Sequence, residues 1–218
     1  SIETLEYDEG AIGYVSLNRF GENSIEEVHD ALKSHKEAGV DGLILDLRYN
    51  GGGLLEGAVR LVSQFLSHGK VVSVQRRGDV PENHYVYGTP VTPDLPLVVL
   101  INEGSASAAE ITAGALRDHD RATLIGATTF GKGTVQEIID LPGGSSLRVT
   151  TSKWVTPSGT DLGESGIEPD IMVEITEGDV EQDIDTQREA AVSYLLGVNN
   201  DQTPKTGSGE IVDDSESE

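Results

Sequence analysis

Residues 42–47 (GLILDL) and 97–101 (LVVLI) are apolar almost without a break. Runs this short lack the length of a buried helix and the alternation of a sheet that turns one face to water. They fit strands buried on both faces, as in a parallel sheet covered by helices on each side. The neighbouring segments agree. Residues 11–17 (AIGYVSL) alternate in part, as an earlier strand would, and residues 70–74 and 122–125 supply two more. Helical stripes lie between them. Ile25, Val28 and Leu32 follow Asn23, which with Glu26 has the form of a capping box, and Gly39 offers a stop. Leu55, Val59, Val62 and Leu66 form a second stripe that Gly69 would close, and residues 105–116 read as an alanine-rich third helix. Strand and helix alternate to residue 126, which predicts an α/β fold with a mainly parallel sheet and crossover helices. A β-rich segment follows. Residues 134–141 and 146–155 flank Pro142-Gly143-Gly144 as a hairpin, residues 171–175 read as a last strand, and residues 186–196 read as a helix. Residues 78–96 read as a surface excursion.

The chain has 218 residues, enough for one large α/β domain with a sizeable core. The absence of cysteine excludes disulfides, thiolate metal sites and cysteine nucleophiles. A formal charge of −23 repels phosphate backbones and argues against nucleic acid as a partner. No run approaches the roughly 18 apolar residues of a membrane-spanning helix. Part of the charge is local, since residues 174–218 carry 13 acidic and two basic residues. Residues 200–218 hold one Ile and one Val as their large apolar residues and read as an acidic, disordered tail. The expected organisation is a core over residues 1–199 and a tail over residues 200–218. No signal peptide is visible at Ser1, and the opening reads like the interior of a longer protein.

Three motifs stand at strand C-terminal ends, where open α/β sheets place their sites. The first is Arg48-Tyr49-Asn50-Gly51-Gly52-Gly53. Consecutive glycines between a strand and a helix free backbone N–H groups for an anion, although a tight turn alone would also need them. A dinucleotide fingerprint fails because Glu56 stands where the third glycine belongs. The second is Gly104-Ser105-Ala106-Ser107-Ala108-Ala109-Glu110. Its small residues permit a sharp turn, and a serine at the helix N-terminus sits where developing negative charge is stabilised. The spacing around Ser107 is like a nucleophile elbow with other small residues in place of glycine; the plainer reading makes Ser105 an N-cap. The third, Gly126 to Thr134, nearly matches a phosphate-binding loop. It has Gly133 at the metal-binding hydroxyl position, and it leads into a strand instead of a helix. Glycines on both sides of Lys132 suggest a lysine packed in a narrow site. On an extended strand Lys132, Thr134 and Gln136 would share a face, with Gln136 placed to accept from the amine.

A serine hydroxyl needs a base to act as a nucleophile. His29 and His35 fall on the polar side of the first helix, His68 at a helix end, His84 in the excursion, and His119 at the end of the helix remote from Ser107. A Ser-His-Asp triad is therefore poorly supported. Metal-ligand spacing is absent, so neither a metal nor another cofactor is expected. Lysine remains, and a Ser-Lys dyad is an established alternative that requires a shielded, neutral amine.

Taken together, residues 11–15, 42–53, 102–111, 129–136 and 166–170 resemble, in this order, the C-terminal processing peptidases, also called tail-specific proteases. The resemblance spans roughly residues 10–196. It implies a crotonase-like α/β spiral and a serine endopeptidase that cuts near the C-termini of protein substrates through an acyl-enzyme. It assigns the nucleophile to Ser107, the base to Lys132 and the residue holding that lysine to Gln136. It assigns the oxyanion hole to the N–H of Ala108 and of Gly52 or Gly53. It also implies a PDZ domain upstream, protein or peptide substrates, an extracytoplasmic location in the cell envelope or periplasm, and compatibility with a homodimer. The competing expectation is a non-enzymatic ligand- or peptide-binding module on the same scaffold. A pure binding module has no reason to keep Ser107, Lys132 and Gln136 together.

Overall fold

The first strand lies earlier than the apolar pattern indicates. A computed structural model describes residues 1–197 except 22, 162 and 164, without the side chains of residues 136–138 and 148. In it, β1 (Ile2–Glu6) pairs antiparallel with β2 (Ala11–Ser16). β1 is mostly exposed, so it lacks the apolar alternation that would announce it. Next come α1 (Ser24–Ala38), β3 (Gly42–Asp46), α2 (Leu55–Val62) and β4 (Lys70–Arg76). The chain continues through β5 (Glu82–Tyr85), β6 (Leu97–Ile101), α3 (Ala108–Asp118) and β7 (Thr123–Gly126). β8 (Thr134–Asp140) and β9 (Ser146–Val155) form the expected hairpin, followed by β10 (Ile171–Met172), α4 (Glu177–Glu181) and α5 (Thr186–Leu196). The tail predicted for residues 200–218 lies outside the described residues.

The main sheet runs β1-β2-β3-β6-β7-β10 and is parallel from β2 onward. Every residue of β3 and β6 is buried, because helices cover both faces. On one face, Leu43, Leu45 and Val99 join α1, α2 and α3 in the larger apolar core. On the other, Ile44, Val98 and Leu100 meet Ala191 and Val192 of α5. The second sheet, β5-β4-β9-β8, is antiparallel and packs against α3 through β4. This is the predicted α/β architecture with its mainly parallel sheet, except that the strand expected at residues 70–74 leaves that sheet and pairs antiparallel in the second one as β4.

Several local expectations change. Asn23 makes no side-chain cap; Ser24 Oγ accepts from Gly21 N–H instead. α2 ends at Val62, a turn before the stripe runs out. The excursion contains β5, whose Glu82-Asn-His-Tyr85 sequence carries no strand pattern and is held by β4. His35 is not on a polar face. It is 3% exposed, and a Cβ on Gly13 would lie 2.7 Å from its ring.

Candidate active site

Parallel strands deliver the loops after β3, β6 and β7 to one edge of the sheet. Main-chain hydrogen bonds join them there. Ala106 N–H donates to Asn50 O at 2.9 Å, and Phe130 N–H donates to Ser105 O at 3.0 Å. Ser105 is buried; its hydroxyl donates to Leu47 O at 2.8 Å and accepts from Asn102 N–H at 3.0 Å. Ser105 is thus a brace between two loops. The N-cap of α3 is Ser107, with φ 55° and ψ −115°. That backbone is strained for a residue with a Cβ, and a strained serine at a strand-to-helix turn is the geometry of a nucleophile elbow.

The glycine loop lies directly on this turn. Gly52 has φ 94°, and a Cβ there would meet Ala106 O at 2.7 Å, Ser107 Cβ at 2.8 Å and Ala108 N at 2.9 Å. No side chain fits at Gly52, whereas Gly51 has nothing within 4 Å. The structure therefore brings Gly52, Ser107 and Ala108 together. Gly52 N–H donates to Asn50 Oδ1 at 2.9 Å. Among the described residues, the N–H groups of Gly53 and Ala108 donate to no other group, whereas that of Gly52 is taken by Asn50.

Lys132 follows β7 on the third loop and is exposed, as is the neighbouring Phe130. The Lys132 side chain lacks the shielding expected for it, although Thr129 and Gly133 on the same loop are buried. Among those residues, no hydrogen bond joins the Ser107 hydroxyl to the Lys132 amine. The backbone of Gln136 pairs with Thr150 across the hairpin; its side chain, and hence the expected contact with Lys132, lies outside the described residues. None of the histidines replaces the lysine. His29 bonds Gln64, His119 bonds Lys70 O, His68 bonds Ser67, and His84 lies near Glu82.

The residue that sequence reasoning missed is Glu110. It is fully buried in the first turn of α3. Its Oε1 accepts from Thr129 Oγ1 and from Gly131 N–H, both at 2.7 Å. Its Oε2 accepts from Ser107 N–H at 2.8 Å and Lys132 N–H at 3.0 Å. One carboxylate oxygen therefore holds the main chains of both residues. The available signal was the capping-box spacing from Ser107 to Glu110, which indicates the first bond and none of the others. Glu110→Gln keeps the size but turns one acceptor end into a donor, leaving two donors unpaired at about 1–3 kcal/mol each. Calorimetry should show a melting temperature lower by on the order of 10 °C. An unchanged value would contradict this account of the clamp.

A second buried charge cluster stands beneath the glycine loop. Arg48 Nη2 contacts Asp46 Oδ2 at 2.6 Å and Asp185 Oδ2 at 2.7 Å, with the Arg48 side chain 9% exposed. Tyr14 Oη donates to Asp46 Oδ2 at 2.6 Å. Burial and then the Asp46 charge push the Tyr14 hydroxyl well above its ordinary range. Burial would raise the Asp185 carboxyl, but hydrogen bonds from Arg48 and from Arg188 N–H, with their charges, hold it below 3.8. Its contribution to stability is therefore full above that ordinary value and is lost as pH falls through the lower folded value. Among the described residues, no group of His, Asp and Glu is arranged to hold a metal ion, and no helix is long and apolar enough to cross a membrane.

Residues 11–173 match the sequence pattern of peptidase family S41. The carboxyl-terminal-processing protease of Synechocystis sp. is 42% identical over 190 residues, covering 86% of this chain and 44% of that protein. The carboxy-terminal-processing protease of Bartonella bacilliformis is 46% identical over 172 residues, covering 76% of this chain and 39% of that protein. Among solved structures, the photosystem II D1 C-terminal processing protease matches with a TM-score of 0.75 at 33% identity, over 80% of this chain and 48% of that one. Mature CPAF matches with a TM-score of 0.76 at 17% identity, over 93% of this chain and 55% of that one, and shows a shared fold alone. The chain spans less than half the length of these two curated relatives. On the extent of the pattern and the level of identity, the chain belongs to peptidase family S41.

Proposed function

We propose that this chain is the catalytic core of a serine endopeptidase that cuts near the C-termini of protein substrates. The observation that carries the reading is the shared hold of Glu110 Oε2 on the backbones of Ser107 and Lys132, beside the glycine loop. Lys132 acts as the base. Its neutral amine takes the Ser107 hydroxyl proton as Oγ attacks the substrate carbonyl. The N–H groups of Ala108 and Gly53, with Gly52 packed against the turn, stabilise the oxyanion. The ammonium then protonates the departing amine. Water, activated by the same lysine, releases the acyl group and restores the serine. Hydrogen bonds of this kind tighten as substrate binds, so an exposed Lys132 side chain can complete the pair from a fixed main chain. Gln136 is assigned to orient the amine.

Substrates are extended, unfolded protein segments. Tyr49, Leu54 and Phe130 leave large apolar side chains in solvent on the loops that surround Ser107, a surface suited to side chains of such a segment. Tail capture is assigned to a PDZ domain in the rest of the protein, with the core at residues 1–199, and the location is extracytoplasmic. Without that capture, one unfolded substrate carrying either a free or an amidated C-terminus should be cleaved by this chain at rates within about twofold. Cleavage is followed by mass spectrometry of the products. A strong preference for the free carboxylate would show that the core itself reads the tail.

A further inference from the structure

The matched family pattern ends at residue 173, before α4 and α5. Even so, α5 reaches the strand end that carries the glycine loop. Arg48 stands one residue before Tyr49, where the chain turns with φ 57°, and two before Asn50. Its guanidinium is fixed by Asp46 on its own strand end and by two residues from α5. Asp185, the N-cap of α5, accepts at 2.8 Å from Nη1 and at 2.7 Å from Nη2. Gln187 accepts from Nη1 at 3.1 Å and passes the link on, its Nε2 donating to Val173 O at 2.7 Å beyond β10. Asp185 Oδ1 also accepts from Arg188 N–H at 3.0 Å, so the first turn of α5 and Arg48 share one carboxylate. Arg188 lies over the Tyr14 ring, whose hydroxyl holds Asp46. The cluster therefore closes on itself around Arg48.

We infer that Asp185 is a positioning residue for the glycine loop at residues 49–53, acting through Arg48. The main chain of that loop has firm anchors on its far side, where Asn50 Nδ2 holds Leu17 O and Phe20 N–H donates to Gly52 O. On the near side, Tyr49 N–H donates to Asn102 Oδ1, and the Arg48 guanidinium fixes the residue just before it. Without Asp185, Arg48 keeps a single carboxylate partner in a buried place and is drawn toward Asp46 or toward water. The loop that packs Gly52 on Ser107 Cβ and Ala108 N then loses its fixed entry. Displacements of about 1 Å at such a site cost on the order of a hundredfold in rate.

The catalytic consequence rests on the peptidase reading; the structural one does not, and the test separates them. Amide hydrogen exchange is measured on the whole chain, the Asp185→Asn variant and the Asp185→Glu variant. Asp185→Asn should speed exchange at residues 49–53 by at least about tenfold while residues 97–101 of β6 keep their protection, and Asp185→Glu should restore most of it. Equal exchange at residues 49–53 in all three proteins would overturn the inference, as would equal loosening of β6, which marks a general loss of stability. In turnover, Asp185→Asn should lower kcat by about tenfold or more with KM within about twofold, and it should add little in an Arg48→Met background. An unaltered kcat, or a loss that multiplies fully with that of Arg48→Met, would also overturn it. If the parent chain turns over no substrate, the peptidase reading fails, and the exchange measurement still decides the role of Asp185.

Discussion

Ser107→Ala should lower kcat/KM for an unfolded protein substrate by about four orders of magnitude and leave the fold in place. The hydroxyl removed is the attacking atom in the proposed reaction. At the N-cap position of α3 its structural share is at most about 1 kcal/mol, so the melting temperature should move by no more than about 4 °C. Ser105→Ala should do the reverse. That hydroxyl braces Leu47 O and Asn102 N–H inside the core, and its loss costs about 1–3 kcal/mol of stability with activity still measurable. Circular dichroism melts and a progress-curve assay on the two variants read this difference. A Ser107→Ala protein as active as its parent would remove the serine from the reaction.

Lys132→Arg should be as damaging as Lys132→Ala, each lowering kcat/KM by about 10²–10⁴-fold. Arginine keeps the positive charge and the reach but does not give up a proton in a protein, so it cannot take one from Ser107. The loop should tolerate either change, because Glu110 holds Lys132 through its backbone N–H and the side chain is exposed. Substantial activity in Lys132→Arg, measured at saturating and limiting substrate, would assign Lys132 an electrostatic role and exclude it as the base.

The central strands were legible because burial on both faces leaves an unbroken apolar run, as at residues 42–47 and 97–101. The hairpin was legible because Pro142-Gly143-Gly144 can do little else. β1 and β5 were not, since an exposed edge strand is specified by its partner more than by its own side chains. The turn at Ser107 was visible from its small residues. The closeness of Gly52 to that turn follows from the family resemblance and not from spacing, because the two loops meet only in the folded sheet. Glu110 shows the same limit. Spacing gives its bond to Ser107, three residues away, but its bonds to Gly131 and Lys132 cross 21 and 22 residues. Arg48 and Asp185 are 137 residues apart, and their pairing follows from where α5 docks. His35 stands three residues after Leu32, so the helical spacing puts it on the buried stripe; the polar residue type alone points to solvent, and glycine at position 13 leaves the room that the ring fills.

If Ser107 is a nucleophile activated by Lys132, a serine-directed reagent should label it covalently. The parent chain is incubated with a fluorophosphonate and digested, and the adduct is located by tandem mass spectrometry. One adduct is expected, on Ser107, forming at least about a hundredfold more slowly in Lys132→Arg and absent from Ser107→Ala. A label on Ser105 or another residue, or equal labelling of the parent and Lys132→Arg, would contradict it.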